Sequence, residues 1–189
     1  VVRQTATEHA GGRPIRYAGV SLGGAVALEL ALDPGPFVGV ACVSSAAVLG
    51  TPKSWHERAA LVRRAGTPVM VEKAARRWFA PGFLERDPAA GNRLLLALSD
   101  TDRESYALAC EALARYDLRG QLHGARVPLL VAPGECDLAA TPDFREHATY
   151  GGKAESVVKA SVGINLTRLG SALHLPVTVA PDLLRGGQV

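Results

Sequence analysis

The chain has 189 residues, of which 48% are apolar and 21% charged, a composition typical of a globular protein with a sizeable core. The 21 Lys and Arg residues nearly balance the 18 Asp and Glu residues, and the net charge of +3 argues against a nucleic-acid-binding or membrane-surface protein. No apolar run approaches the roughly 20 residues of a membrane span, and no signal peptide is evident. Three cysteines without metal-ligand spacing favour a reducing compartment. We therefore expect a cytoplasmic α/β or α+β protein.

The first third of the chain predicts a βαβ unit. A short helix over residues 1–10 ends at two glycines, and a strand follows at residues 15–18. Residues 21–32 have the apolar pattern of a buried helix, and a Pro-Gly-Pro sequence ends it. Residues 37–43 are continuously apolar, which is typical of a strand buried on both faces of a parallel sheet.

Helices alone are predicted between residues 52 and 120, at 55–65, 68–79 and 92–98, and after a capping box formed by Thr101 and Glu104. A strand at residues 127–132, a short helix from residue 141 and a strand at 163–169 follow. This order predicts a mostly parallel sheet with a helical insert. We divide the chain into an amino-terminal core segment (1–51), a helical cap (52–120) and a carboxyl-terminal core segment (121–189).

The sharpest motif is the pentapeptide Gly-Val-Ser-Leu-Gly at residues 19–23, which lies between a predicted strand and a predicted helix. In that context glycines permit a tight turn, and the central Ser21 is held in a strained conformation with its hydroxyl exposed. Backbone N–H groups at the start of the helix favour a developing oxyanion. Ser21 is therefore our candidate nucleophile, although the pentapeptide alone is a weak signal that could mark a Gly-rich turn.

A serine nucleophile needs a base and an acid, which in this architecture follow it in the order acid, then histidine. His174 follows the last predicted strand and is favoured as base over His147, which lies within a predicted helix. Asp137 follows the strand at 127–132 and is favoured as acid over Glu135 and Asp143. All three candidates then lie at carboxyl ends of strands, where open α/β sheets place their sites.

Two cysteines near these positions are interpreted as small buried residues. Cys136 precedes the candidate acid, and Cys42 lies within a predicted buried strand. Nothing in the sequence supplies the paired histidine and helix N-terminus that would activate either thiol.

At this point the sequence resembles the α/β-hydrolases and, within them, the 3-oxoadipate enol-lactonases of bacterial aromatic catabolism. The resemblance covers nearly the whole chain, and its segments, besides the Ser21 motif, are residues 77–83, 106–114, 116–119, 128–137 and 172–176. The Ser21 motif is common to many hydrolases, whereas the segments within residues 77–119 point to the lactonase group.

The resemblance implies a catalytic triad and no cofactor or metal. Ser21 would attack the enol-lactone carbonyl, His174 would transfer protons, Asp137 would orient His174, and the N–H of Leu22 would supply half of the oxyanion hole. The helical insert would be a cap over the active site. Six basic residues against one acid between Arg58 and Arg77 suit an anionic small-molecule substrate, unless they simply form solvated helix faces. Arg77 and Trp78 are the candidate substrate-binding residues.

The family has several strands before the nucleophile strand, and nothing in this sequence corresponds to them. The sequence therefore predicts that residues 15–18 form an exposed sheet edge, a template for self-association. We expect the chain to be the carboxyl-terminal part of a hydrolase and to be poorly active alone, because loss of one oxyanion donor costs about 100–1,000-fold in rate. The alternatives are a general esterase, a cofactor-free haloperoxidase, or an inactive remnant acting as an interaction module.

Overall fold

The computed structural model describes residues 2–132, and these residues form two compact units. One unit comprises residues 2–49 and 116–132, and the other comprises residues 50–115. Asp137 and His174 lie outside the described residues, as do the strand predicted at 163–169 and the helix predicted from residue 141. Within residues 2–132 no helix is both long enough and apolar enough to span a membrane.

The first unit is an α/β arrangement, as predicted. Helix α1 (Val2–Ala10) precedes strand β1 (Ile15–Val20), helix α2 (Leu22–Leu32) and strand β2 (Phe37–Val43). A short 3-10 helix (Leu122–Gly124) leads to strand β3 (Leu129–Ala132). The three strands are parallel in the order β1-β2-β3, which confirms the predicted parallel sheet.

The core of this unit lies between the sheet and α2. Helix α2 is apolar on most sides because it packs on both β1 and β2, and its Ala27, Leu28 and Ala31 are fully buried. Alternate sheet residues that face this core, Val40, Cys42 and Val131, are also buried. One face of β2 is therefore buried as predicted, whereas Val38 of the same strand retains 43% of its accessible surface within the described residues.

Strand β1 has β2 as its single sheet neighbour within the described part of the chain. Its alternate residues Arg16, Ala18 and Val20 are exposed, and Val20 retains 41% of its accessible surface. Leu130 of β3, which is in register with Ala18 through Ala41, retains 38%. Self-association through this edge remains a prediction.

The second unit is entirely helical over residues 50–115. Its helices are α3 (Pro52–Ala65), α4 (Val71–Trp78), α5 (Phe83–Arg86), α6 (Pro88–Ser99) and α7 (Arg103–Ala114). Helices α3 and α7 pack along each other around the buried side chains of Ala59, Ala107 and Cys110. A second cluster joins α3, α4 and α6 and contains Val62, Met70, Ala74 and Leu98.

The predicted capping box at the start of α7 is wrong. The N-cap is Asp102, whose carboxylate accepts a hydrogen bond of 2.8 Å from the backbone N–H of Ser105. The hydroxyl of Thr101 instead donates to the carbonyl of Ala97 in the preceding helix, and Glu104 forms an ion pair with Arg63. A carboxylate at the N-cap also complements the positive end of the helix dipole, which favours Asp102 over Thr101 as the N-cap residue.

Candidate active site

The Ser21 motif lies at the turn between β1 and α2. Gly19 and Val20 end the strand, Ser21 is the N-cap of the helix, and Leu22 is its first residue. Ser21 has φ +54° and ψ −114°, the values of the first central residue of a type II′ turn, a position that favours glycine. Its side chain is exposed and forms no capping hydrogen bond to the helix. The strained serine thus presents a hydroxyl that the helix itself does not engage.

Two glycines make this turn sterically possible. A Cβ on Gly19 would overlap the backbone carbonyl of Gly23 at much less than 3.0 Å. A Cβ on Gly24 would lie 2.5 Å from the Cβ of Ser45 and 3.1 Å from the carbonyl oxygen of Val43. The strand and the first turn of the helix can therefore approach each other only because both positions lack side chains.

The end of β2 supports the same turn. The backbone N–H of Ser21 donates to the carbonyl oxygen of Val43 at 3.0 Å, and Ser21's own carbonyl accepts from Ala25 at 3.0 Å. Ser45 is 2% exposed and packs against Gly24, at the start of α2. Sequence reasoning missed Ser45, although its place just after the predicted strand 37–43 could have indicated it.

The three strands end level with one another. Val20 pairs with Val43, and Val43 pairs with Ala132, so the chain leaves β3 at the same edge that carries Ser21. Ser44 also has a positive φ, of +45°, and its N–H donates to the carbonyl of Ala132 at 3.0 Å. Asp137 is five positions beyond Ala132, but it and His174 lie outside the described residues.

The start of α2 places backbone N–H groups near Ser21. The first four N–H groups of any α-helix lack an intrahelical acceptor, and Leu22 opens this helix. These donors and the helix dipole make the position suitable for a developing negative charge on oxygen.

The described cysteines are unsuited to nucleophilic chemistry. Burial raises the pKa of the Cys42 thiol to about 12, although the neighbouring Ser45 side chain opposes that rise. Burial also raises the pKa of Cys110, on helix α7, and both cysteines are free. The interpretation of Cys42 as a small buried residue is confirmed, whereas Cys136 lies outside the described residues.

The basic residues of the helical unit divide into paired and unpaired groups. Arg63 on α3 binds Glu104 at 2.7 Å and also binds Glu111, both on α7, and Arg76 binds Glu72 within α4. Arg77 forms no ion pair within residues 2–132, and its neighbour Trp78 retains 51% of its accessible surface. Counting charges along the sequence missed the Arg63 partners because they are 41 and 48 positions away.

Arg58 is a half-buried cation in the same unit. Its guanidinium carbon lies 4.4 Å from the centroid of the Trp55 ring. Its charge also lowers the pKa values of Tyr106 and Cys110 on α7, although burial outweighs that effect and raises both. Trp55 and Tyr106 both pack against the buried cluster of Ala59, Ala107 and Cys110.

Solved structures share this arrangement of strands and helices. The enol-lactonase from Burkholderia xenovorans LB400 superposes with a TM-score of 0.69 and 32% identity, covering 75% of this chain and 55% of that one. A thermophilic esterase from Thermogutta terrifontis superposes with a TM-score of 0.70 and 21% identity, covering 77% of this chain and 55% of that one. The described residues therefore have a partial α/β-hydrolase fold, that of the α/β-hydrolase superfamily.

Within that superfamily the chain is similar to 3-oxoadipate enol-lactonases. It is 39% identical to 3-oxoadipate enol-lactonase 2 of Acinetobacter baylyi over 126 residues, which are 66% of this chain and 47% of that protein. The chain therefore spans about half the length of the curated relatives that it matches. No family model matches it.

Proposed function

We propose that this chain carries the nucleophile of a serine hydrolase that opens the 3-oxoadipate enol-lactone. The observation that supports this most directly is Ser21 at the strand-to-helix turn, exposed and strained, with the N–H groups of the first helical turn beside it. The similarity to enol-lactonases supports the choice of a lactone over other carboxylic esters.

In the proposed reaction the Ser21 hydroxyl oxygen attacks the lactone carbonyl carbon while His174 takes its proton. Asp137 orients His174, and the N–H of Leu22 donates to the oxyanion of the tetrahedral intermediate. The ring C–O bond then breaks, the leaving enolate oxygen receives the proton from His174, and the resulting enol tautomerises to the ketone. Water, deprotonated by His174, finally releases 3-oxoadipate from the acyl-enzyme.

Substrate recognition is proposed to use Arg77 and Trp78. An arginine can bind the free carboxylate of the lactone with two parallel hydrogen bonds, and the exposed indole of Trp78 offers apolar surface. We expect Arg77→Gln to raise KM for the enol-lactone and to leave KM for a neutral p-nitrophenyl ester unchanged. An equal effect on both substrates would contradict this role.

We place the enzyme in the cytoplasm, consistent with the free thiols of Cys42 and Cys110.

The nucleophile is tested by labelling the chain with a fluorophosphonate probe. We expect the label on Ser21 and its loss in Ser21→Ala, with Ser54→Ala, an exposed serine of the helical unit, as the matched control. Absence of label on the parent chain would favour a non-catalytic interaction module. A labelled chain that prefers p-nitrophenyl esters to the enol-lactone would be assigned as a general esterase. A labelled chain that halogenates a test substrate with peroxide would be assigned as a haloperoxidase.

A further inference from the structure

The Arg58 guanidinium differs in its surroundings from the other basic groups of the helical unit. It is half-buried, yet it forms no ion pair with a carboxylate in the part of the chain that the structure describes. Arg63, five residues further along α3, is neutralised by two glutamates. Burying part of a cation without a counter-charge is unfavourable, so a positive charge retained at such a position needs a compensating interaction.

The neighbours of Arg58 hold it without neutralising it. The Trp55 ring lies 4.4 Å from the guanidinium carbon and covers one face of the planar group. Trp55 and Tyr106 both pack against the buried cluster of Ala59, Ala107 and Cys110, which joins α3 to α7 beside Arg58. Both supports come from the well-packed α3–α7 pair. The guanidinium is therefore pre-oriented. The side chain of a pre-oriented arginine loses less rotamer freedom on binding a carboxylate than that of an exposed arginine.

We propose that Arg58, Trp55 and Tyr106 form a binding site for the carboxylate of a short aliphatic acid. The Arg58 fork pairs with both carboxylate oxygens, the Tyr106 hydroxyl donates to one of them, and the Trp55 ring contacts the methylene chain. The occupant of this site is a free aliphatic acid. The carboxylate of the lactone substrate stays assigned to Arg77, as in the proposed function.

Glutarate is a suitable probe because it has the carboxylate and methylene chain but no bond that a hydrolase cleaves. The chain contains two tryptophans, so Trp78→Phe leaves Trp55 as the only indole reporter. In that variant we expect a saturable change of Trp55 fluorescence with glutarate and none with glutaramide, which has the same length without charge. A flat glutarate titration would overturn the proposal.

Three further variants of the Trp78→Phe chain locate the site. We expect Arg58→Gln to weaken glutarate binding about tenfold or more, because a bidentate charge-assisted pair is lost. Arg64→Gln, an exposed arginine of the same helix, is the matched control and is expected to bind as the parent does. Arg77→Gln tests whether the carboxylate binds instead at Arg77, an exposed arginine on α4. If Arg77→Gln abolishes binding while Arg58→Gln retains it, the carboxylate binds elsewhere and the proposal is wrong.

The wild-type chain provides a test that needs no substitution. We expect glutarate to shift the Nε–Hε resonance of Arg58 in a two-dimensional NMR spectrum, with a midpoint matching the fluorescence titration. An unshifted Arg58 resonance at saturating glutarate would overturn the proposal even if Arg58→Gln fails to fold. Because glutarate is not hydrolysed, these results do not depend on Ser21, whose labelling tests the proposed function separately.

Discussion

The backbone N–H of Ser21 donates a hydrogen bond to the carbonyl oxygen of Val43, with 3.0 Å between nitrogen and oxygen. This bond continues the β1–β2 ladder one residue beyond the last paired strand positions, Val20 and Val43. The strained turn is thus fixed on one side by α2 and on the other by the end of the neighbouring strand. Strain at such a site persists only where the surrounding structure over-determines it.

The contact between Gly24 and Ser45 gives the first prediction. We expect Gly24→Ala to lower the free energy of unfolding by about 1–3 kcal/mol, because its Cβ would lie 2.5 Å from the Ser45 Cβ. Ser45→Gly removes that atom, so the double variant should be more stable than the sum of the single effects implies. Recovery should be partial, since the carbonyls of Val43 and Gly19 would remain 3.1 and 3.2 Å away.

Urea denaturation of the four chains measures this coupling. Gly23→Ala is the matched control in the same helix, because its Cβ would meet only the Tyr17 hydroxyl at an ordinary 3.5 Å. We expect Gly23→Ala to change the midpoint little. Strict additivity of Gly24→Ala and Ser45→Gly would show that the two positions do not meet as described.

The conformation of Ser21 gives the second prediction. We expect Ser21→Gly to raise the free energy of unfolding by about 1 kcal/mol, because glycine adopts φ +54° without steric strain. Ser21→Ala keeps the Cβ and should therefore match the stability of the parent. Both variants should lose fluorophosphonate labelling, which separates the hydroxyl from the backbone strain. Equal stability of the glycine and alanine variants, measured by urea denaturation, would mean that the turn stores no strain.

Features encoded by local patterns were predictable from the sequence. Strand β2 has the bounds predicted for it, because a continuous run of apolar residues marks the strand even though only one of its faces is buried within the described residues. The strand-to-helix turn at Ser21 was equally predictable, because closely spaced glycines between two apolar segments mark a tight turn. Both signals lie within a few residues of the feature that they specify.

Features that depend on distant residues or on competing local patterns were not predictable. The partners of Arg63 lie on another helix, and no local rule connects α3 with Glu104 or Glu111. At the start of α7 two overlapping patterns compete, one from Thr101 and one from Asp102. The three-dimensional context decides between them, since the Thr101 hydroxyl already donates to Ala97.

The start of α7 gives the third prediction. We expect Asp102→Ala to lower the urea midpoint clearly, because the Ser105 N–H would lose its acceptor. The same bond lowers the pKa of the Asp102 carboxyl, so the contribution is present near neutral pH and is lost as the pH falls through that lowered value. Thr101→Ala is the matched control, and a larger effect there than at Asp102 would reverse the assignment of the cap.

The ion pairs of Arg63 give the last prediction. Hydrogen bonds from Arg63 lower the pKa values of Glu104 and Glu111 below their ordinary value of 4.5. Carboxyl groups with lowered pKa values stabilise the folded chain above the unfolded pKa, and this stability is lost as the pH falls through the folded values. The midpoint of urea denaturation should therefore fall between pH 6 and pH 3, and it should fall less in Arg63→Gln. At pH 6 the variant should be less stable than the parent, and at pH 3 the difference in stability should narrow.

Arg76→Gln is the control for the Arg63 prediction, because the Arg76–Glu72 pair is highly exposed and such pairs contribute little. A pH dependence in Arg63→Gln equal to that of the parent would mean that the two glutamates gain nothing from Arg63 in solution.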